Sequence, residues 1–233
     1  MIKKKKMIVT GGNGRFAKVL KKKNKNYKIF FLDKDQLNIL KINNIRRYFK
    51  KIKPDYLLHC AGLSAPMSLH DRDIDKSIKL NIIGTSNVVK VCSENKVKII
   101  YFSTAYVYDG IKGNHSEKDP IRPLNNYAWS KLGGECAVQL YKDSLILRLM
   151  MCEKPFQHEY AFYDIKTNFL FHEEVAQLLP KIIDEKGILN VGGKLQTVYN
   201  FAKKSNKKVK KISGKKIYPP NLSMNLRKLK QLI

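Results

Sequence analysis

Short β-like runs alternate with longer amphipathic stretches along most of this chain, and that alternation limits its fold more than any other feature. Met7-Ile8-Val9 reads as a buried strand and Arg15 to Lys23 as a helix. Tyr27 to Leu32 is a second strand, followed by a helix over Asn43 to Lys53. Tyr56-Leu57-Leu58-His59-Cys60 is a third strand. Asp73 to Asn95 then carries Ile78, Ile82, Val88, Val89 and Cys92 at helical spacing. Val97 to Ser103, Asn126 to Tyr141 and Leu145 to Leu149 continue as strand, helix and strand. Such alternation calls for right-handed βαβ units. The expected class is α/β, a Rossmann-like doubly wound parallel sheet whose domain is residues 1–150. Residues 151–233 are expected to form a small C-terminal lobe interleaved with the carboxyl edge of the sheet, where open α/β sheets bind ligands. In that lobe Glu173 to Ile183 looks helical, and Ile188 to Val191 is a strand ended by Gly192-Gly193. Lys203 to Lys216 holds eight lysines in fourteen residues and reads as a solvated face or loop.

Charge invites a different reading. The 233 residues carry a net charge of +27, which points first toward nucleic acid. The excess consists of 39 Lys against seven Arg, however. Base and phosphate recognition favours the planar fork of Arg, whereas Lys is a hydrated point charge that any surface tolerates. With many Ile and Asn beside it, the lysine excess fits compositional drift and solubility better than a polyanion site, and no nucleic-acid partner is expected. No apolar run approaches the roughly 20 residues that span a bilayer. Lys3 to Lys6 lead only into Met7-Ile8-Val9, too short for a signal-peptide core. Cys60, Cys92, Cys136 and Cys152 are widely spaced and suit reduced residues of a cytoplasmic protein, with no metal site.

The loop after the first strand is Thr10-Gly11-Gly12-Asn13-Gly14-Arg15-Phe16-Ala17. Glycines there close the turn and let backbone approach a pyrophosphate at a helix N-terminus. Gly11, Gly12, Asn13, Gly14, Arg15 and Phe16 are thus candidate dinucleotide contacts. Asp33 ends the second strand about twenty residues beyond the loop, placed to accept ribose hydroxyls and so to favour NAD over NADP. Arg15 and Lys34 offer a 2′-phosphate an alternative, so either NAD(H) or NADP(H) fits. The competing reading is that Asp33 and Asp35 merely cap the next helix.

Tyr127-Ala128-Trp129-Ser130-Lys131 places a phenol and an ammonium one helical turn apart. A neighbouring cation favours the phenolate and brings a Tyr pKa toward the working range of an acid catalyst. Tyr108/Lys112 and Tyr199/Lys203 share the spacing, so context must choose. Tyr108/Lys112 straddles the Asp109-Gly110 turn, and Tyr199/Lys203 opens the lysine-rich tail. Only Tyr127/Lys131 follows a strand that ends in hydroxyls, Ser103-Thr104.

The ordered set Thr10 to Gly14, Ser103-Thr104 and Tyr127-x-x-x-Lys131 resembles the extended short-chain dehydrogenase/reductase superfamily. It is closest to the dTDP-4-dehydrorhamnose reductase family. Phe102-Ser103-Thr104-Ala105-Tyr106-Val107-Tyr108-Asp109-Gly110 and Pro123 to Glu135 resemble that family's two central signatures, and Lys53-Pro54-Asp55, His59 to Gly62, Asn81 and Ser223 to Leu229 are smaller matches. The resemblance implies NAD(P)H-dependent reduction of the 4-keto group of a nucleotide-linked 6-deoxyhexulose, in deoxysugar biosynthesis for surface polysaccharide. It implies Thr104, Tyr127 and Lys131 as catalytic residues, Ala61 and Gly62 as further cofactor contacts, and Ser64, Thr104, Ala105, Tyr106 and Tyr127 as substrate contacts. Ala105 stands where the family has Asp, and Ala128 where it has Gly. The Met150 to Phe171 segment is shorter than its counterpart. Ala105-Tyr106 lacks the acidic pair of the superfamily's dehydratases. An NAD-dependent epimerase and a non-catalytic dinucleotide-binding regulatory subunit are the alternatives, and a homodimer is the assembly considered.

Overall fold

The computed structural model describes residues 4–233, which divide into two compact units. The first comprises the chain up to Ser103 together with Asn125–Ile146 and Ile183–Gly187. It opens with β1 (Lys6–Thr10), α1 (Arg15–Lys23), β2 (Lys28–Leu32), α2 (Ile42–Ile52) and β3 (Tyr56–His59). Local chemistry sets the boundaries. Helix α2 stops where Lys53 turns left-handed (φ 51°), immediately before Pro54, because the residue preceding proline is barred from the helical region. The helix that ends at Asn95 is likewise stopped by a left-handed residue, Lys96 (φ 53°).

The single helix expected over 73–95 is interrupted. Short helices α3 (Leu69–Arg72) and α4 (Ile74–Ser77) lead into a π-helical segment, Ile78–Ile83, and then α5 (Gly84–Asn95). The wider turn is where Asn81 faces inward. It is 1% exposed, its Oδ1 accepts from the Leu63 amide (2.7 Å), and its Nδ2 donates to the Leu63 carbonyl and to Ser130 Oγ. β4 (Lys98–Phe102) is buried throughout. Helix α6 (Asn126–Gln139) follows, its first turn closed by Asn125 Oδ1 accepting from the Ala128 amide at 2.9 Å. β5 (Ser144–Leu149) is again fully buried. Unbroken apolar runs, rather than alternation, are what a parallel sheet covered on both faces requires.

The second unit comprises Thr104–Leu124, Leu147–Ile182 and Ile188–Ile233. It contains β6 (Met151–Cys152), β7 (Tyr160–Phe162), β8 (Lys166–Thr167), β9 (Leu170–Phe171) and α7 (His172–Ile182), then β10 (Gly187–Val191) from Ile188 onward, β11 (Gln196–Thr197), α8 (Val198–Lys203), β12 (Lys210–Ile212) and α9 (Arg227–Lys230). Three two-stranded ladders join β6 with β9, β7 with β12, and β8 with β11. The lysine-rich stretch is therefore not simply a loop. Lys203 closes α8, and Lys210–Ile212 pairs in parallel with β7. At the unit's centre Asn190, fully buried, accepts from the Tyr108 hydroxyl (2.8 Å) and donates to the His115 carbonyl (2.8 Å), while Arg148 donates to the same hydroxyl.

The six-stranded sheet runs β10-β5-β4-β3-β1-β2, and β1 pairs in parallel with both β2 and β3, as β3 does with β4. The chain leaves β1 for β2 on one side and returns to β3 on the other. This reversal is the topological switch point, where a crevice opens beyond the carboxyl ends of the strands.

Candidate active site

The ends of β1, β2 and β3 bring the expected cofactor residues together. Gly12 N donates to the Leu32 carbonyl (2.9 Å) and Gly14 N to the Gly11 carbonyl (2.8 Å), which fixes the loop over the end of β2. Gly11 has φ +67°, a conformation open to glycine, and a Cβ there would lie 3.0 Å from the Ala61 backbone. A Cβ on Gly12 would lie 2.6 Å from the backbone of Phe31 and Leu32, so only glycine fits. No side chain caps α1 at Gly14, which leaves its first turn suited to an anion.

Thr10 joins this loop to the next. Its Oγ1 accepts from the amides of Cys60 (3.2 Å) and Ala61 (3.1 Å) and meets His59 Nδ1 at 2.8 Å. His59 Nε2 meets Thr85 Oγ1 at 3.1 Å. Loss of hydration, helped by the Lys131 charge, pushes the His59 pKa down to about 3, so this imidazole is neutral and structural. Burial pushes the Cys60 thiol up to about 12. Asp33 does not cap a helix. Its Oδ1 accepts from the amides of Asp35 and Gln36 in a turn, and its Oδ2 accepts from Asn13 Nδ2 at 2.8 Å. The carboxylate is thereby held facing the glycine loop. Arg15 is exposed, whereas Phe16 is 5% exposed and stands edge-on to Phe102 (4.9 Å), so its side chain belongs to the core. Ser64 and Gly62 lie exposed on the loop after β3.

Helix α6 supplies the reactive pair. The Lys131 ammonium sits 4.1 Å above the Tyr101 ring at the end of β4. Loss of hydration, opposed by Cys60 and Glu135, pushes Lys131 down to about 7. The Tyr101 phenol is raised well above its ordinary value, first by burial and then by Tyr127 and Glu135, and it donates to the Lys131 carbonyl at 2.9 Å. Glu135, fully buried, accepts from Ser103 Oγ at 2.7 Å and ties α6 to the end of β4. Gly134 permits this approach, since a Cβ there would lie 2.5 Å from the Tyr101 hydroxyl. One turn before Lys131, Tyr127 is half-buried, with the His70 ring 5.2 Å away.

Thr104, Ala105 and Tyr106 belong to the second unit. Thr104 is 2% exposed and caps a short 3-10 turn, its Oγ1 accepting from the Tyr106 amide at 3.2 Å. The Tyr106 ring stacks on Tyr218 (5.8 Å). The other two Tyr/Lys pairs make no comparable site. Tyr108 is buried in the Asn190 network, and Lys203 merely lies over the Tyr199 ring at 5.6 Å. Among the described residues no cluster suits a metal, and no helix is long and apolar enough to cross a membrane.

A family model described as the RmlD substrate binding domain matches residues 5–152. The chain belongs to this family. It is 27% identical over 148 residues to a dTDP-4-dehydrorhamnose reductase of Aggregatibacter actinomycetemcomitans, covering 61% of this chain and 50% of that protein. It is 32% identical over 104 residues to the methionine adenosyltransferase 2 subunit beta of Bos taurus, covering 45% of this chain and 31% of that one. The matched stretches thus span half or less of these relatives. Among solved structures, the dTDP-4-dehydrorhamnose reductase of Bacillus anthracis in complex with NADP superposes with a TM-score of 0.86 at 23% identity, covering 99% of this chain and 92% of that one. The Bordetella bronchiseptica enzyme WbmG in complex with NAD gives 0.76 at 17% identity, covering 99% and 88%. These likenesses establish the fold.

Proposed function

We propose that this chain binds a nicotinamide dinucleotide and reduces the 4-keto group of a nucleotide-linked 6-deoxyhexulose. The observation that carries the reading is the arrangement around the end of β4: Lys131 half-buried against Tyr101, one turn from Tyr127, beside the strand ends that carry the glycine loop. The residues fit a dinucleotide. The uncapped α1 N-terminus suits the pyrophosphate, Asp33 the adenosine ribose, and Lys131 the second ribose. NADP and NAD each occur in the related structures; Asp33 favours NAD, and exposed Arg15 offers a 2′-phosphate its charge.

When bound, the reduced dinucleotide would supply a hydride to the carbonyl carbon, whose π electrons would move to oxygen. Tyr127 donates its phenol proton to that oxygen, so product leaves as a neutral alcohol and the phenolate recovers a proton from solvent. Lys131, when protonated, stabilises the phenolate. Thr104 donates a hydrogen bond to the carbonyl and orients it, the role that the resemblance assigns.

The experiment is to mix the protein with NADH or NADPH and a panel of 4-keto-6-deoxy nucleotide sugars while following cofactor absorbance. Oxidation that depends on sugar supports the reading; cofactor binding without turnover on the whole panel refutes it. The match to methionine adenosyltransferase 2 subunit beta favours, as a second reading, a dinucleotide-binding subunit without its own reaction. That reading predicts cofactor binding and no turnover.

A further inference from the structure

We propose that His70 is a positioning residue for Tyr127. The inference rests on the reading of Tyr127 as proton donor. His70 is 1% exposed on α3, a four-residue helix in the loop that follows β3. Its ring lies 5.2 Å from that of Tyr127 at 64°, an edge contact that restricts rotation of the phenol. Nδ1 lies 2.6 Å from Ser77 Oγ and 3.4 Å from Ser130 Oγ. Ser130 donates to the Tyr127 carbonyl at 2.8 Å and accepts from Asn81 Nδ2 at 2.8 Å. A second link runs outside it, where Asn126 Nδ2 donates to Asp71 Oδ1 at 2.8 Å. The short helix and the first turn of α6 are therefore fastened together on either side of the phenol.

Packing alone does not account for a histidine here. Nε2 is buried, and besides the two serines the ring has the Leu63 backbone as a hydrogen-bonding neighbour. If Nδ1 accepts from Ser77, the ring proton sits on Nε2 and the Leu63 backbone can accept it; if Nδ1 donates, Nε2 is a bare acceptor. An apolar side chain would fill the space but could make none of these bonds. The charged groups acting on the ring are Asp71 from its own helix and Lys131 from α6, with Tyr127 the titratable neighbour it touches. Loss of hydration is the largest influence and lowers the His70 pKa, so the ring is neutral at pH 7 and Lys131 is the cation that acts on the phenol. Protonating His70 would favour phenolate, weaken the proton donor and disturb the Ser77 contact.

The test compares wild type with His70→Phe, which keeps the ring and loses the Nδ1 bond, and His70→Gln, which keeps a polar group and loses the ring. With NADPH and a sugar that the wild type reduces, both variants should lose at least about tenfold in kcat with the NADPH KM within about twofold. The wild-type pH profile should fall along a one-proton acid limb below pH 6.5 that His70→Gln lacks. Independently of activity, ring-labelled tyrosine followed by NMR, with Tyr127→Phe assigning the signal, should show the Tyr127 titration displaced by about half a pH unit or more in both variants. Unchanged kcat, an acid limb surviving in His70→Gln, or an undisplaced titration would overturn the proposal. Absence of turnover by the wild type refutes the reductase reading instead, and the tyrosine titration still decides the role of His70.

Discussion

Lys131 should make the folded protein less stable than it would be without the ammonium. Its pKa falls from 10.5 to about 7, with loss of hydration the main cause. At about 1.4 kcal/mol per pH unit, that fall corresponds to a ceiling of about 5 kcal/mol. Side-chain relaxation and entry of water reduce it, and about 2–3 kcal/mol is the expected effect. The folded-state pKa lies below the unfolded one, so between pH 7 and 10.5 the unfolded chain binds the extra proton and stability rises with pH. Below pH 7 the full penalty applies; above 10.5 none remains. Lys131→Met should therefore be more stable than wild type at neutral pH, and the advantage should shrink steadily as pH rises. Urea unfolding of both proteins without cofactor, at about pH 7, 8.5 and 10, measures the difference while the other lysines cancel. An advantage that does not vary with pH, or a wild type that is the more stable at pH 7, would refute the reasoning.

Three further outcomes follow from the same site. Binding the anionic cofactor should favour the charged form of Lys131, so calorimetry near pH 8 in buffers of different ionisation enthalpy should register uptake of about one proton, reduced in Lys131→Met. Gly12→Ala puts a methyl 2.6 Å from the backbone of Phe31 and Leu32. It should cost about 1–3 kcal/mol in thermal unfolding and weaken NADPH binding measured by fluorescence titration. Thr10→Val removes the acceptor for the Cys60 and Ala61 amides and the partner of His59 Nδ1. A loss of about 1–3 kcal/mol is expected by urea unfolding, since buried polar groups are left unmade.

Much of the first unit was legible because its signals are local. The helix over Arg15–Lys23 falls where its spacing places it, and β3 and β4 are largely apolar and buried at every position, as parallel strands covered on both faces require. The π-helical segment at 78–83 was not legible, because one wider turn scarcely disturbs a 3.6-residue pattern and its cause, Asn81 reaching Leu63 and Ser130, depends on distant residues. β12 was hidden by its lysines: all three of its residues are exposed, so no apolar periodicity marks it. Residues 104–124 fall in the second unit through long-range partners such as Tyr108 with Asn190, a pairing that no spacing encodes. At the site, the glycine loop and the Tyr127/Lys131 pair could be read directly from the sequence. His70 could not, for a single histidine in Leu69-His70-Asp71-Arg72 carries no pattern, and only the fold brings it to the phenol.

Reduction as proposed here depends on Tyr127 as the proton donor, and a single-turnover measurement tests that most directly. Wild type and Tyr127→Phe, each saturated with NADPH, are mixed with a 4-keto-6-deoxy nucleotide sugar that the wild type reduces, and loss of the reduced cofactor is followed. Equal NADPH affinity with a rate reduced by at least about a hundredfold in the variant is the predicted result, the range that a positioned general acid contributes. Equal rates in the two proteins would contradict it.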